Sequence, residues 1–78
     1  MSKETTYKIY TIRSTPLQLL DSMQWTPSIA IEWERGGLTT VRPFSAQTFY
    51  PTEAEADIHG ITYGVRIIEG KVPGFSVD

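Results

Sequence analysis

The amino-acid sequence predicts one α+β domain, in which a three-stranded antiparallel sheet, arranged as a meander, is followed by a C-terminal amphipathic helix packed on one face. Two observations lead to this prediction. Apolar and polar residues alternate over residues 25–34, and signals for the start and the end of a helix flank residues 52–70. A chain of 78 residues fits a single domain, residues 1–78. We expect its ends, residues 1–6 and 72–78, to be flexible.

The first predicted strand covers residues 7–13, which are rich in aromatic and β-branched side chains and end at a Ser-Thr-Pro sequence. Its apolar residues are divided between the two faces of the strand. Tyr7 and Ile9 lie on one side of the strand, and Tyr10 and Ile12 lie on the other. The pattern therefore leaves open which of the two pairs joins the core.

The second predicted strand covers residues 25–34. Its large apolar side chains share one face, which is the pattern of a strand with one buried side: Trp25, Ile29, Ile31 and Trp33. Pro27 lacks a backbone N–H group, so we expect incomplete pairing where this strand begins.

Gly36 and Gly37 predict a tight turn into a third strand over residues 38–50. A two-residue turn would place Trp33 opposite Thr40, whereas a three-residue turn would shift the register by one residue.

Phe44 and Phe49 are out of phase along this third strand. We therefore expect a break between residues 43 and 47 that lets both rings reach the core.

The helix signals begin with Thr52 and Glu55, which have the spacing of a capping box, and end with Gly70 as the natural stop. An apolar stripe follows the helical repeat: Ala54, Ile58, Ile61, Val65 and Ile68. Gly60 and Gly64 each cost about 1 kcal/mol relative to alanine within a helix. Their presence indicates that the helix lies very close to the sheet.

The connector between the first two strands is long and apolar, with leucines at positions 17, 19 and 20 and a methionine at position 23. Thr15 and Gln18 have the spacing of a second capping box, with Pro16 at the first helical position. We therefore expect a short helix over residues 16–23.

Composition narrows the classes of function. The chain has no cysteine, and its seven basic and nine acidic side chains give a net charge of −2. The basic residues are scattered, which makes nucleic-acid binding less probable than for a chain with a clustered basic patch. The polar start lacks the apolar stretch of a signal peptide, and no apolar run approaches the length of a membrane span. We therefore expect a cytoplasmic protein with no membrane partner.

No residue pattern points to catalysis. His59 and Glu55 are one helical turn apart and offer two metal ligands without a third. Glu32 and Glu34 share one face of a strand, but an open sheet offers no cleft to separate their pKa values. We therefore predict that the protein is not an enzyme and has no catalytic, cofactor or metal site, and no small-molecule ligand is evident.

Three features together resemble a family of small bacterial proteins of unknown function. These features are the Tyr-x-Ile of the first strand at Tyr10, the tryptophan at Trp25 followed by alternating apolar residues, and the stretch from Phe49 through the Thr-x-Glu-Ala helix start to Gly70-Lys71. The resemblance implies a bacterial origin and a β-β-β-α order. It implies no activity and no functional residue. Residues 15–24 are an expansion relative to this pattern.

The spare apolar residues of the first strand and the connector suggest an interaction surface, formed by Tyr10, Ile12, Leu19 and Leu20. The leading hypothesis is a small non-catalytic module that binds another protein or a second copy of itself. The simpler explanation of the same surface is that Leu17, Leu19, Leu20 and Met23 fold back and cover the first strand. The second hypothesis is a nucleic-acid-binding domain that uses the free face of the sheet, with Lys8, Tyr10 and Arg42 as contacts, although Glu32 and Glu34 oppose it.

Overall fold

The computed structural model describes residues 3–75. Their strands and helix follow one another in this order: β1 (Lys3–Tyr7), β2 (Tyr10–Ser14), β3 (Leu17–Gln18), β4 (Trp25–Thr26), β5 (Ser28–Arg35), β6 (Leu38–Ser45) and α1 (Glu53–Ile68). An antiparallel sheet has the order β1-β2-β5-β6, and β3 pairs with β4 in a separate hairpin. The α+β class and the C-terminal helix are confirmed, but the main sheet has four strands and not three.

The fourth strand arises because residues 7–13 do not form one strand. Lys8 has a φ of 58°, and a two-residue turn at Lys8 and Ile9 folds β1 back onto β2. Tyr7 and Tyr10 are directly opposed in this hairpin, so both point to the same face of the sheet. The prediction of one continuous strand, with Tyr7 and Tyr10 on opposite faces, was therefore wrong.

Residues 3–6, which were expected to belong to a flexible end, form most of the edge strand β1. Residues 1, 2 and 76–78 lie outside the described part of the chain, so the prediction that both ends are flexible stays a prediction there.

Pro27 divides the predicted second strand into β4 and β5, as its missing N–H group led us to expect. The turn from β5 to β6 has two residues, Gly36 and Gly37, with φ values of 61° and 82°. Trp33 therefore lies opposite Thr40, and the two-residue register is confirmed.

The expected break in the third predicted strand is confirmed in part. β6 ends at Ser45, and Tyr50 returns to pair with Trp25. Phe44 packs against the core, but Phe49 is about half exposed, so the prediction that both rings are buried was wrong. The pairing of Tyr50 with β4 fixes the backbone beside Phe49 and leaves its ring outside.

The connector forms the β3–β4 hairpin, and the predicted helix over residues 16–23 was wrong. The Thr15 amide donates to the Ser28 carbonyl, and the Leu19 amide donates to the Gln24 carbonyl. Both amides therefore bond to the opposite strand or the far side of the loop, and not to a carbonyl within a helical turn. Met23, at a φ of 60°, closes the tight loop of the hairpin.

The core lies between α1 and the inner strands β2 and β5. Its buried apolar side chains are Ile12, Ile29, Ile31, Trp33 and Ile67. The helix faces this core mainly with small residues, Ala56, Gly60 and Gly64. The predicted stripe is confirmed in part: Ile61, Val65 and Ile68 are partly buried and pack against the core, whereas Ala54 and Ile58 are exposed. The helix approaches the sheet most closely at its glycines, so its most buried face is not the face with the most apolar residues.

Both ends of α1 carry the predicted caps. The Thr52 hydroxyl accepts a hydrogen bond from the Glu55 amide at 3.2 Å. At the other end Gly70 has a φ of 74°, its amide donates to the Ile67 carbonyl, and the Lys71 amide donates to the Arg66 carbonyl. This is a Schellman motif, which requires the positive φ that glycine adopts without strain.

The end of the helix is tied to the β1–β2 hairpin. The Tyr7 hydroxyl donates to the Glu69 carboxylate at 2.6 Å, and the Lys71 ammonium lies 3.2 Å from the same group. The hydrogen bond from Tyr7, followed by that from Lys71, lowers the pKa of Glu69 below its ordinary value of 4.5. The same hydrogen bond raises the pKa of Tyr7 above 10.0.

Replacing Tyr7 with phenylalanine is expected to weaken the dependence of stability on acidic pH. A lowered folded-state pKa means that this contact of Glu69 stabilises the protein above pH 4.5 and is lost as the pH falls through the lower folded-state value. The stabilisation from Tyr7 is present below pH 10.0 and is lost as the pH rises through the raised value. Urea midpoints measured across both ranges test this, with Tyr10→Phe as the matched control. Equal pH profiles for Tyr7→Phe and the parent protein would contradict the prediction.

Candidate functional site

The four residues predicted to form an interaction surface do not form one. Ile12 is fully buried beneath α1, and Tyr10 packs edge-on against Trp33 with 5.6 Å between the ring centres. Leu19 is partly buried, whereas Leu20 is 87% exposed. Tyr10 also lies at the far end of β2 from the connector. The Tyr10 and Ile12 part of the predicted surface is therefore wrong, because these side chains belong to the core side of the sheet.

The β3–β4 hairpin carries other exposed apolar side chains. Leu17 is 56% exposed, Leu20 is 87% exposed and Met23 is 59% exposed. The Met23 amide donates to the Leu19 carbonyl at 2.7 Å and the Leu19 amide donates to the Gln24 carbonyl at 2.8 Å, so hydrogen bonds close the loop of the hairpin. Leu20 and Met23 lie in the loop of the hairpin, and Leu17 pairs with Thr26 at its other end. We call these three exposed residues together the hairpin tip.

The face of the sheet opposite α1 is polar. At its centre Arg13 contacts the carboxylate of Glu4 at 2.7 Å and also that of Glu32. The hydrogen bond to Glu4, followed by the charge of Glu32, raises the pKa of the Arg13 guanidinium above its ordinary value. The arginine charge is thus already compensated by two carboxylates.

The residues proposed as nucleic-acid contacts do not lie on this free face. The register places Tyr10 with Tyr7 and Arg42 with Ile31, both on the side that faces α1. The nucleic-acid hypothesis therefore loses two of its three contacts, and the free face carries Glu4 and Glu32 in their place.

A cleft of about 360 Å³ lies between the flank of α1 and the segment that follows β6. Tyr50 and His59 form one wall, with their rings stacked in parallel and 4.3 Å between their centres. Tyr63 lines the cleft from the next turn of the helix, and its partial burial raises the pKa of its phenol. Thr62 and Arg66 supply polar groups from the same flank.

The charge of the cleft differs from that of the whole chain. None of the described residues that line it is acidic, whereas Arg66 and His59 are basic. Within residues 3–75 the Arg66 guanidinium forms no ion pair and no hydrogen bond. The chain as a whole has a net charge of −2. The cleft is thus a locally basic site on an acidic protein.

Among the described residues, no three histidine, cysteine, aspartate or glutamate side chains lie close enough together to hold a metal ion. His59, considered with Glu55 as a metal ligand, stacks on Tyr50 instead. Over the same residues no helix is long and apolar enough to cross a membrane.

Comparison with protein-family models, with curated proteins and with solved structures finds no match for this chain. The resemblance to a bacterial family, and the origin and location that go with it, therefore stay predictions. What the protein binds has to be argued from its own surface.

Sequence reasoning missed the cleft and two of the three residues of the hairpin tip. Leu17 and Met23 were noted as apolar, but the predicted interaction surface included only Leu19 and Leu20 from the connector. The cleft joins His59 and Arg66 to Tyr50 and Pro27, which are far apart in the chain. No local motif marks such a site.

Proposed function

We propose that this protein is a small non-catalytic interaction module that binds a partner protein through the hairpin tip. The observation that carries the proposal is an ordered backbone presenting three large apolar side chains to solvent, with Leu20 at 87% exposure. Isolated exposed apolar residues are common, but several of them on one short hairpin are typical of a contact surface. A pre-ordered hairpin also loses little conformational entropy on binding.

The partner is a larger protein with an apolar groove that accepts the hairpin. Three side chains expose only a few hundred Å², well below the roughly 800 Å² that each partner of a standard stable interface buries. Two tips pressed together would thus give a weak dimer. A groove that encloses the hairpin on several sides would bury its backbone as well, so it gains more from the same projection.

Replacing Leu20 with aspartate is expected to abolish partner binding and leave the fold intact. The side chain is almost fully exposed, so the free energy of unfolding should change by no more than about 0.5 kcal/mol. A charge inside an apolar groove would raise the Kd for the partner at least tenfold. Val41→Asp is the matched control, because Val41 is also exposed but lies on the distant strand β6. Unfolding of Leu20→Asp would contradict the proposal, since it would place the connector in the core.

The partner is identified by placing a photo-crosslinking amino acid at position 20, with position 39 on β6 as the control site, in the native host. The expected result is one crosslinked protein specific to position 20, which then binds the purified chain with a Kd weakened by Leu20→Asp but not by Val41→Asp. Equal crosslinking from both sites would contradict the proposal. Crosslinking only to a second copy of the chain, together with a dimer in sedimentation, would replace the partner protein with self-association.

A further inference from the structure

We propose that the cleft between α1 and residues 46–50 binds a small aromatic anion, a planar ring that carries a carboxylate or a phosphate. This site is separate from the hairpin tip and does not depend on it. The proposal rests on three features that coincide in one cavity: an uncompensated arginine, flat aromatic walls and a suitable volume.

The charge of the ligand follows from Arg66. A guanidinium donates to carboxylate and phosphate oxygens in a planar, bidentate manner. Arg13 is the contrasting case, because Glu4 and Glu32 already occupy it. Arg66 has no such partner among residues 3–75, and no described residue of the cleft would repel an anion. A basic residue in the last turn of a helix is common by itself, so Arg66 carries the proposal only together with the walls of the cleft.

The ring of the ligand follows from the walls. Tyr50 stacks flat on His59, with an angle of 4° between the ring planes, so the two rings have the same orientation. Tyr63 adds apolar surface. Aromatic rings gain stabilisation from offset or edge-on contacts with such walls. A volume of about 360 Å³ lies at the small end of the range for ligand pockets, which suits one ring with one anionic substituent.

Hydrogen-bond donors are also present opposite the helix. Gln47 and Thr48 line the cleft, and their backbone N–H groups have no hydrogen-bond partner among residues 3–75. Successive backbone amides are a recurring component of anion sites.

The test is a titration of the ¹⁵N-labelled protein with phenyl phosphate, followed by amide chemical shifts. We expect saturable shifts confined to residues 46–50 and 59–66. Inorganic phosphate, which lacks the ring, and benzyl alcohol, which lacks the charge, should each bind at least tenfold more weakly. Benzoate in a parallel titration shows whether a carboxylate or a phosphate is preferred, and tighter binding of either one than of both controls supports the proposal. Equal binding of inorganic phosphate, or shifts spread over the surface, would overturn it.

Arg66→Gln should raise the Kd for phenyl phosphate at least tenfold. Arg35→Gln, which removes the same charge at the β5–β6 turn, should change it less than twofold. Leu20→Asp should bind phenyl phosphate as the parent does, so a failure of the hairpin-tip proposal would leave this result unaffected. Equal effects of the two arginine substitutions would show a general response to net charge and would contradict a site in the cleft.

Discussion

Gly64→Ala is expected to lower the free energy of unfolding by about 1–3 kcal/mol, although alanine is the better helix former by about 1 kcal/mol. A Cβ atom at this position would lie 2.9 Å from Cγ2 of Ile12 and 3.1 Å from Cδ1 of Ile29. Cγ2 of Ile12 is attached directly to a Cβ within a fully buried side chain, so it cannot move away without displacing the core. The helix would have to lift from the sheet. Guanidinium denaturation measures the change.

The control for this prediction separates propensity from packing. Thr62 is exposed in the same helix, so the difference between Thr62→Gly and Thr62→Ala gives the propensity term without a clash. We expect Thr62→Ala to be the more stable of the two, whereas Gly64→Ala should be less stable than the parent. If Gly64→Ala were more stable than the parent, the inference that the helix packs too closely for a Cβ atom at position 64 would be wrong.

The glycines also show how far the sequence could predict the fold. Gly60 and Gly64 correctly indicated a close contact with the sheet, because a glycine inside a helix needs a reason. The same residues hide the buried face from a search for apolar periodicity, since a glycine contributes nothing to an apolar stripe. The periodicity therefore selected Ile58, which is exposed, and missed the face that holds Ala56 and Gly64.

The sequence predicted a tight turn only where glycines mark it. The Gly36-Gly37 turn and its register were read correctly because two adjacent glycines favour positive φ. The turn at Lys8 and Ile9 was missed, because lysine and isoleucine rarely occupy such a turn and only the pairing of β1 with β2 holds Lys8 at a positive φ. This one turn accounts for the fourth strand of the sheet.

For the proposed interaction surface, the sequence indicated only that the connector is rich in apolar residues. The connector was noticed because it is too apolar for a loop, and the structure places its leucines at 17 and 20 on an exposed hairpin. Which of its residues face solvent depended on pairing between Leu17 and Thr26, a contact that has no sequence motif. The cleft depended on packing between α1 and the segment after β6, which local patterns do not encode.

Removing the buried pair formed by Ser14 and Asp57 is the second change with a large expected effect. The Ser14 hydroxyl donates to the Asp57 carboxyl group at 2.7 Å, and the two residues are 0% and 2% exposed. This contact joins the end of β2 to α1 directly beside Gly60, whose missing Cβ leaves the space for the serine side chain. We expect Ser14→Ala to lower the free energy of unfolding by about 1.5–3 kcal/mol, because a buried carboxyl group loses its hydroxyl donor.

The double variant Ser14→Ala with Asp57→Ala distinguishes this pair from two independent sites. Once one partner is absent, removing the other also removes a polar group that has become unsatisfied. The double variant should therefore lose at least 1 kcal/mol less than the sum of the two single variants, about what interacting neighbours show. Ser45→Ala, at the exposed end of β6, is the matched control and should change stability by less than about 0.5 kcal/mol. Additive losses would mean that the hydrogen bond does not hold α1 against β2, and that the position of the helix is determined by the glycine contacts alone.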